Sequence, residues 1–175
     1  MSLRDFILES INQCTTQVFS TMLGVELNPG QVIEKDGSGD VQCEVVSLIG
    51  IAGALAGAGS VSCSANMACK ICALMLMTEA ENVNEDVLDA VAELTNMIVG
   101  NVKTELESRV GPLGLGIPTV VYGRNFQTKT SGDPGWIITR FHLDGEALTI
   151  KICLAPNHRD GNTAVEKGTP EAVLV

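Results

Sequence analysis

Apolar residues at Phe6 or Ile7, Ile11, Cys14, Val18 and Met22 recur at spacings of three and four, and Gly24 follows where a helix C-cap would stand. The spacing predicts an amphipathic helix over residues 3–23. Segments 25–34 and 41–49 are rich in β-branched residues and flank Lys35-Asp36-Gly37-Ser38-Gly39, a polar glycine turn, so the two are expected to pair as a hairpin. Residues 54–63 read as a third strand. Residues 65–77 are rich in Ala, Met and Leu, with Ile71 the single β-branched residue, and predict a short buried helix ending near Thr78-Glu79. Asn84 is a good N-cap, and Glu85 and Asp86 suit the first turn of the helix it opens. Val87, Val91, Leu94, Ile98 and Val102 share one face of that helix, which Gly111-Pro112 ends. Three strands follow over 119–127, 135–143 and 146–154, the last two joined through the tight turn Asp144-Gly145. The expected fold class is α/β (α+β): two long helices and a short one packed on a mostly antiparallel six-stranded sheet. One domain would occupy residues 1–155. The polar stretch 156–175 has little to bury and is expected to be a poorly ordered tail.

The 175 residues are 45% apolar but only 3% aromatic, so the core must be aliphatic and base stacking is improbable. Lysine and arginine number 11 against 21 aspartates and glutamates, a net charge of −10. That balance argues against nucleic-acid and anionic-membrane surfaces and favours an electropositive partner. Between Glu44 and Lys70 nothing is charged, which raises the alternative of a membrane-associated scaffold, but Gly50, Gly53, Gly57, Gly59, Ser60, Ser62, Ser64 and Asn66 break the run. No apolar leader follows Met1, so the chain is expected in the cytoplasm. Cys14, Cys43, Cys63, Cys69, Cys72 and Cys153 sit in apolar stretches and read as core thiols. Cys69-x-x-Cys72 lacks a second Cys or His pair at ligand spacing, so no metal site is expected, and His142 and His158 are isolated and complete no Ser-His-Asp or Cys-His arrangement. Gly57-x-Gly59 and Gly114-x-Gly116 lack the rest of a nucleotide-binding loop.

Candidate chemistry lies on the far side of the long helix. Asp89, Glu93, Asn96, Gly100, Lys103 and Glu107 fall within a stripe roughly 80° wide at 100° per residue, opposite Val91, Leu94, Ile98 and Val102. Polar residues on a solvent face are ordinary, but two of these are not. Glycine inside a helix costs about 1 kcal/mol relative to alanine, which suggests close approach of something at Gly100. Asparagine in mid-helix competes for backbone partners and is a mediocre choice at Asn96.

Asp89-x-x-x-Glu93-x-x-Asn96, followed after twenty-one residues by Pro118, resembles the signature of the CheC/CheX/FliY family of chemotaxis phosphatases. The run Glu93-Leu94-Thr95-Asn96-Met97-Ile98-Val99-Gly100-Asn101 is most similar to its CheX branch. The resemblance covers about residues 3–155 and implies a CheX-like sandwich and hydrolysis of the aspartyl phosphate on a CheY-like response regulator. It implies Asn96 as the residue that positions the attacking water and Glu93 as the contact to a basic residue of the regulator. Asp89, Gly100, Lys103 and Pro118 would complete the partner-binding surface. It further implies no cofactor of the chain's own, Mg²⁺ supplied by the regulator, a homodimer, and a CheD-like deamidase as a candidate adaptor. The alternative within the same fold is a non-catalytic docking module related to the FliM middle domain.

Asp5-x-x-x-Glu9-x-x-Asn12 repeats the spacing on the first helix. Thr16 and Phe19 stand where Gly100 and Lys103 would be matched, and Glu34 where the proline would be. Glu9 and Asn12 therefore read as a degenerate second copy, decayed or fortuitous, rather than a working site.

Overall fold

The computed structural model describes residues 1–33, 43–124 and 135–157. Its helices are α1 (Leu3–Val18), α2 (Ala65–Leu76) and α3 (Glu85–Val110). Its strands are β1 (Gln31–Ile33), β2 (Val45–Gly53), β3 (Leu55–Cys63), β4 (Leu113–Leu115), β5 (Thr119–Tyr122), β6 (Ile137–Leu143) and β7 (Glu146–Pro156). All seven form one sheet in the order β1-β6-β7-β3-β2-β4, with β5 beside the other half of β2, and every pairing is antiparallel.

Alternation along the strands sends one face to the helices. Val45, Ile49 and Ile51 of β2, Val61 and Cys63 of β3, and Leu148, Ile150 and Ile152 of β7 are buried there. They form one core with Ile7, Ile11 and Cys14 of α1, Met67 and Ile71 of α2, and Val91, Leu94, Ile98 and Val102 of α3. Gly59 sets how closely α3 approaches: a Cβ there would stand 2.7 Å from Cγ2 of Val99, tighter than atoms allow. The missing side chain lets the helix lie directly on β3.

Local chemistry accounts for the ends of the elements. Ser2 caps α1 in a reciprocal box with Asp5, its Oγ accepting from Asp5 N–H at 3.1 Å while Ser2 N–H donates to Asp5 Oδ2 at 3.1 Å. Asn84 Oδ1 accepts from Val87 N–H at 3.0 Å and opens α3. Asp144 and Gly145 both have positive φ, 50° and 84°, as a two-residue turn matched to strand twist requires.

Four expectations are corrected. The first helix does not keep its phase to residue 23: a π turn over Phe19–Leu23 rotates the apolar face, so Phe19 and Leu23 are buried and Met22 is 56% exposed. Gly24 nonetheless closes it in the left-handed conformation, φ 69°. Of residues 25–33 only Gln31–Ile33 is strand, and it pairs with β6; β6, β7 and β3 stand between it and β2, so no hairpin joins them. The turn residues 35–39 lie outside the described residues. The sheet has seven strands instead of six, because Leu113–Leu115 adds a short one after α3. Finally, β7 runs to Pro156, two residues past the strand end expected at 154, and the Asn157 amide donates to Gly53 O at 3.0 Å. Residues 158–175, with His158, lie outside the described residues, as do 125–127 of the strand expected at 119–127.

The uncharged run folds into β2, β3 and the start of α2, and no described helix is long and apolar enough to cross a membrane. All six cysteines are free; five are buried and Cys43 is half-buried. Burial, and then the neighbouring Glu105 carboxylate, pushes the Cys14 thiol up to about 12.

Candidate functional site

Asp89, Glu93 and Asn96 lie on the exposed side of α3, in three of its middle turns, while Ala90, Val91, Leu94 and Thr95 beside them are buried. Among the described residues the Asn96 amide makes no hydrogen bond, and Asp89 and Glu93 make no ion pair. A rigid 26-residue helix thus presents two carboxylates and an uncommitted amide along one line.

Beyond Asn96 the stripe does not stay open. Gly100, Lys103 and Glu107 are half-buried, because the chain turns back after Gly111 and lays β4 along the end of α3. Lys103 Nζ meets Glu107 Oε1 at 2.9 Å, and the same oxygen accepts the Leu113 N–H at 2.9 Å. The Leu113 N–H, with the Lys103 ammonium second, holds the Glu107 carboxyl below its ordinary value. Lys103 is therefore tied within the chain. Leu115 Cδ1 would stand 3.6 Å from a Cβ on Gly100, an ordinary contact, so the chain's own packing does not demand glycine there.

The path to Pro118 contains a β-bulge. Leu115 is opposite Ile51 and Thr119 opposite Leu48, so β2 advances three residues while its partner advances four. The extra residue falls in Gly116-Ile117-Pro118, and the bulge reverses which parity faces inward: Leu113 and Leu115 pack toward the core before it, Val120 after it. Gly116 N–H donates to Gly50 O at 2.9 Å and pins the bulge on one side. Proline suits this edge position, since it has no N–H to offer a ladder. Pro118 is half-buried, and Ile117 is pushed outward to 90% exposure.

The matching residues of α1 are spent differently. Asp5 is occupied in the N-terminal capping box, its Oδ2 accepting from Ser2 Oγ at 2.7 Å. Both ends of the Asn12 amide are committed: Nδ2 donates to Leu8 O at 3.0 Å, and Oδ1 accepts the Gly30 N–H at 2.6 Å. Glu9 is exposed. Sequence spacing groups Asn12 with Asn96; hydrogen bonding separates them.

Two features of the site were missed by spacing alone, the Glu107 clamp and the outward Ile117. Only pairing with β2 shows that the segment Gly116-Ile117-Pro118 holds an extra residue. Among the described residues no three His, Cys, Asp or Glu side chains stand together as metal ligands.

The antiparallel α+β fold described above is shared with CheC-like chemotaxis proteins. The chain is similar to a CheC-like superfamily protein from Shewanella sp. PV-4 (28% identity, TM-score 0.77, covering 89% of this chain and 99% of that one). It is similar also to chemotaxis protein CheX from Vibrio vulnificus (27%, TM-score 0.75, covering 85% and 99%). The CheX–CheY–BeF₃–Mg²⁺ complex from Borrelia burgdorferi shares the fold (22%, TM-score 0.71, covering 85% and 97%). No curated protein matches the chain significantly. The sequence model of chemotaxis phosphatase CheX matches residues 45–141, more than half the chain, and the chain belongs to the CheX family. That match contains Asp89, Glu93, Asn96, Gly100, Lys103 and Pro118, and excludes α1.

Proposed function

We propose that the protein hydrolyses the aspartyl phosphate of a CheY-like response regulator. The observation that carries this reading is the uncommitted amide of Asn96, exposed one turn from Glu93 on a helix fixed against the sheet. An acyl phosphate is already activated, so a second protein accelerates its hydrolysis chiefly by placing a water in line with the phosphorus. The Asn96 amide offers an acceptor oxygen and a donor NH₂, which orient a water without taking its proton. Glu93, three residues earlier on the same stripe, pairs with a lysine or arginine beside the phosphorylated aspartate and so aims Asn96. Asp89 extends the acidic contact, and Gly100 leaves room for the partner's backbone. Pro118 keeps the bulge in shape beside them. The reaction's Mg²⁺ is the regulator's own and, when bound there, neutralises charge on the phosphoryl oxygens.

Mg²⁺ in the Borrelia complex, which holds CheX with CheY, supports this division of labour. A homodimer, a CheD-like adaptor and a cytoplasmic location belong to the same proposal.

The test is the decay of phosphorylated regulator with Mg²⁺ present. The wild type is expected to accelerate it. Asn96→Ala should lose roughly 10²-fold in kcat while binding persists, in line with removal of one positioning amide. Glu93→Ala should weaken binding by about tenfold or more, the scale of a charge-assisted contact. Unaccelerated decay with demonstrated binding would favour the non-catalytic docking module instead.

A further inference from the structure

We propose that Ile117 is the apolar anchor that seats the regulator on this site, a proposal that rests on the phosphatase reading. A lone exposed isoleucine is ordinary. This one is held out by construction, within the bulge Gly116-Ile117-Pro118, with Gly116 N–H bonded to Gly50 O on one side and the Thr119–Leu48 pairing on the other. Pro118, next in the chain, fixes its own φ and removes a donor. A side chain presented so rigidly loses little freedom when a partner covers it.

Its position follows from the path of the edge. Leu113 is bonded to Glu107 and Leu115 lies beside Gly100, so the chain runs back along α3 toward the N-terminal end of the helix. Gly116 and Ile117, which follow β4 within the bulge, continue that path by at most about 6.6 Å, the rise of about four helical residues, so Ile117 lies past Leu115 in the direction of the Asn96 turn. The acidic stripe supplies long-range attraction and the amide supplies geometry, but Asp89, Glu93 and Asn96 offer almost no apolar area. Ile117, 90% exposed and two residues past the Leu115–Gly100 contact, is where a hydrophobic contact can form. In many interfaces a few well-packed contacts ringed by near-neutral ones carry most of the affinity.

Ile117→Ala and Ile117→Leu are compared with the wild type in two assays: steady-state dephosphorylation, and binding to regulator held by beryllofluoride in its phosphorylated form. The residue is exposed, so both variants should melt with the wild type. Ile117→Ala is expected to raise both KM and Kd about tenfold, with the loss falling on KM rather than kcat, and Ile117→Leu to restore most of it. Unchanged KM and Kd with an active wild type would overturn the proposal. So would a kcat loss at constant KM. If Ile117→Asp changes the oligomeric state while regulator affinity per subunit holds, a second copy of the chain covers this edge and the anchor role is again overturned. A wild type that fails to accelerate decay defeats the phosphatase reading alone; binding to the beryllofluoride form then decides the role of Ile117.

Discussion

Two asparagines at equivalent helical positions behave as different chemical objects. Asn12 spends its carbonyl on Gly30 N–H and its NH₂ on Leu8 O, joining α1 to the segment that leads into β1. Asn12→Ala would leave the Gly30 N–H unpaired in a half-buried place, at a cost of about 1–2 kcal/mol. The expected result is a lower denaturation midpoint, with phosphatase rate per folded molecule as in the wild type. A rate halved by that substitution alone would show the α1 copy to be active. The spacing of Asp89, Glu93 and Asn96 was legible in the sequence because a helix turns a linear interval into a line on one face. What distinguishes Asn96 from Asn12 was not, because it depends on a backbone donor eighteen residues away from Asn12.

At the scale of elements, Glu107 joins two parts: its own helix, where it pairs with Lys103 one turn back, and the first residue of β4. It fixes the start of the segment that carries Ile117 and Pro118. Its carboxyl is held below the ordinary value of 4.5, so the clamp contributes fully above that pH and is lost as pH falls through the lower, folded value. Glu107→Ala should therefore be less stable than the wild type at pH 7, and the gap should close as pH falls from 4.5 through the lower, folded value. Parallel denaturation curves taken down through that window check this, and a gap that persists once the carboxyl is protonated would mean the deficit is packing. Elements with a clear period were legible: α3 from its apolar face and cap, β6 and β7 from Asp144-Gly145. Strands β1 and β4 were not. Each is three residues long, too short to show alternation, and β1 finds its partner in β6, far along the chain. The bulge was hidden for a similar reason, since a change of parity between Leu115 and Val120 exists only relative to β2.

For the whole molecule the governing quantity is the net charge of −10, with Asp89 and Glu93 contributing on the proposed docking face. Charges of one sign spread over a small domain set up a field that reaches about 10 Å at 0.1 M salt and shortens as salt rises. If Glu93 meets a basic residue of the regulator, encounter is favoured by this field and chemistry is not, because the bound complex excludes most of the screening ions. The expected outcome is a several-fold fall in kcat/KM between about 0.05 and 0.5 M salt with kcat nearly constant. Progress curves at graded salt concentrations measure both. The opposite slope carries its own meaning. A kcat/KM that rises with salt would show the regulator's approaching face to be acidic as well, leaving Glu93 a contact made only after docking. The apolar contact at Ile117 would then supply the attraction that the charge withholds, since burial of apolar surface is strengthened rather than screened by excluded salts.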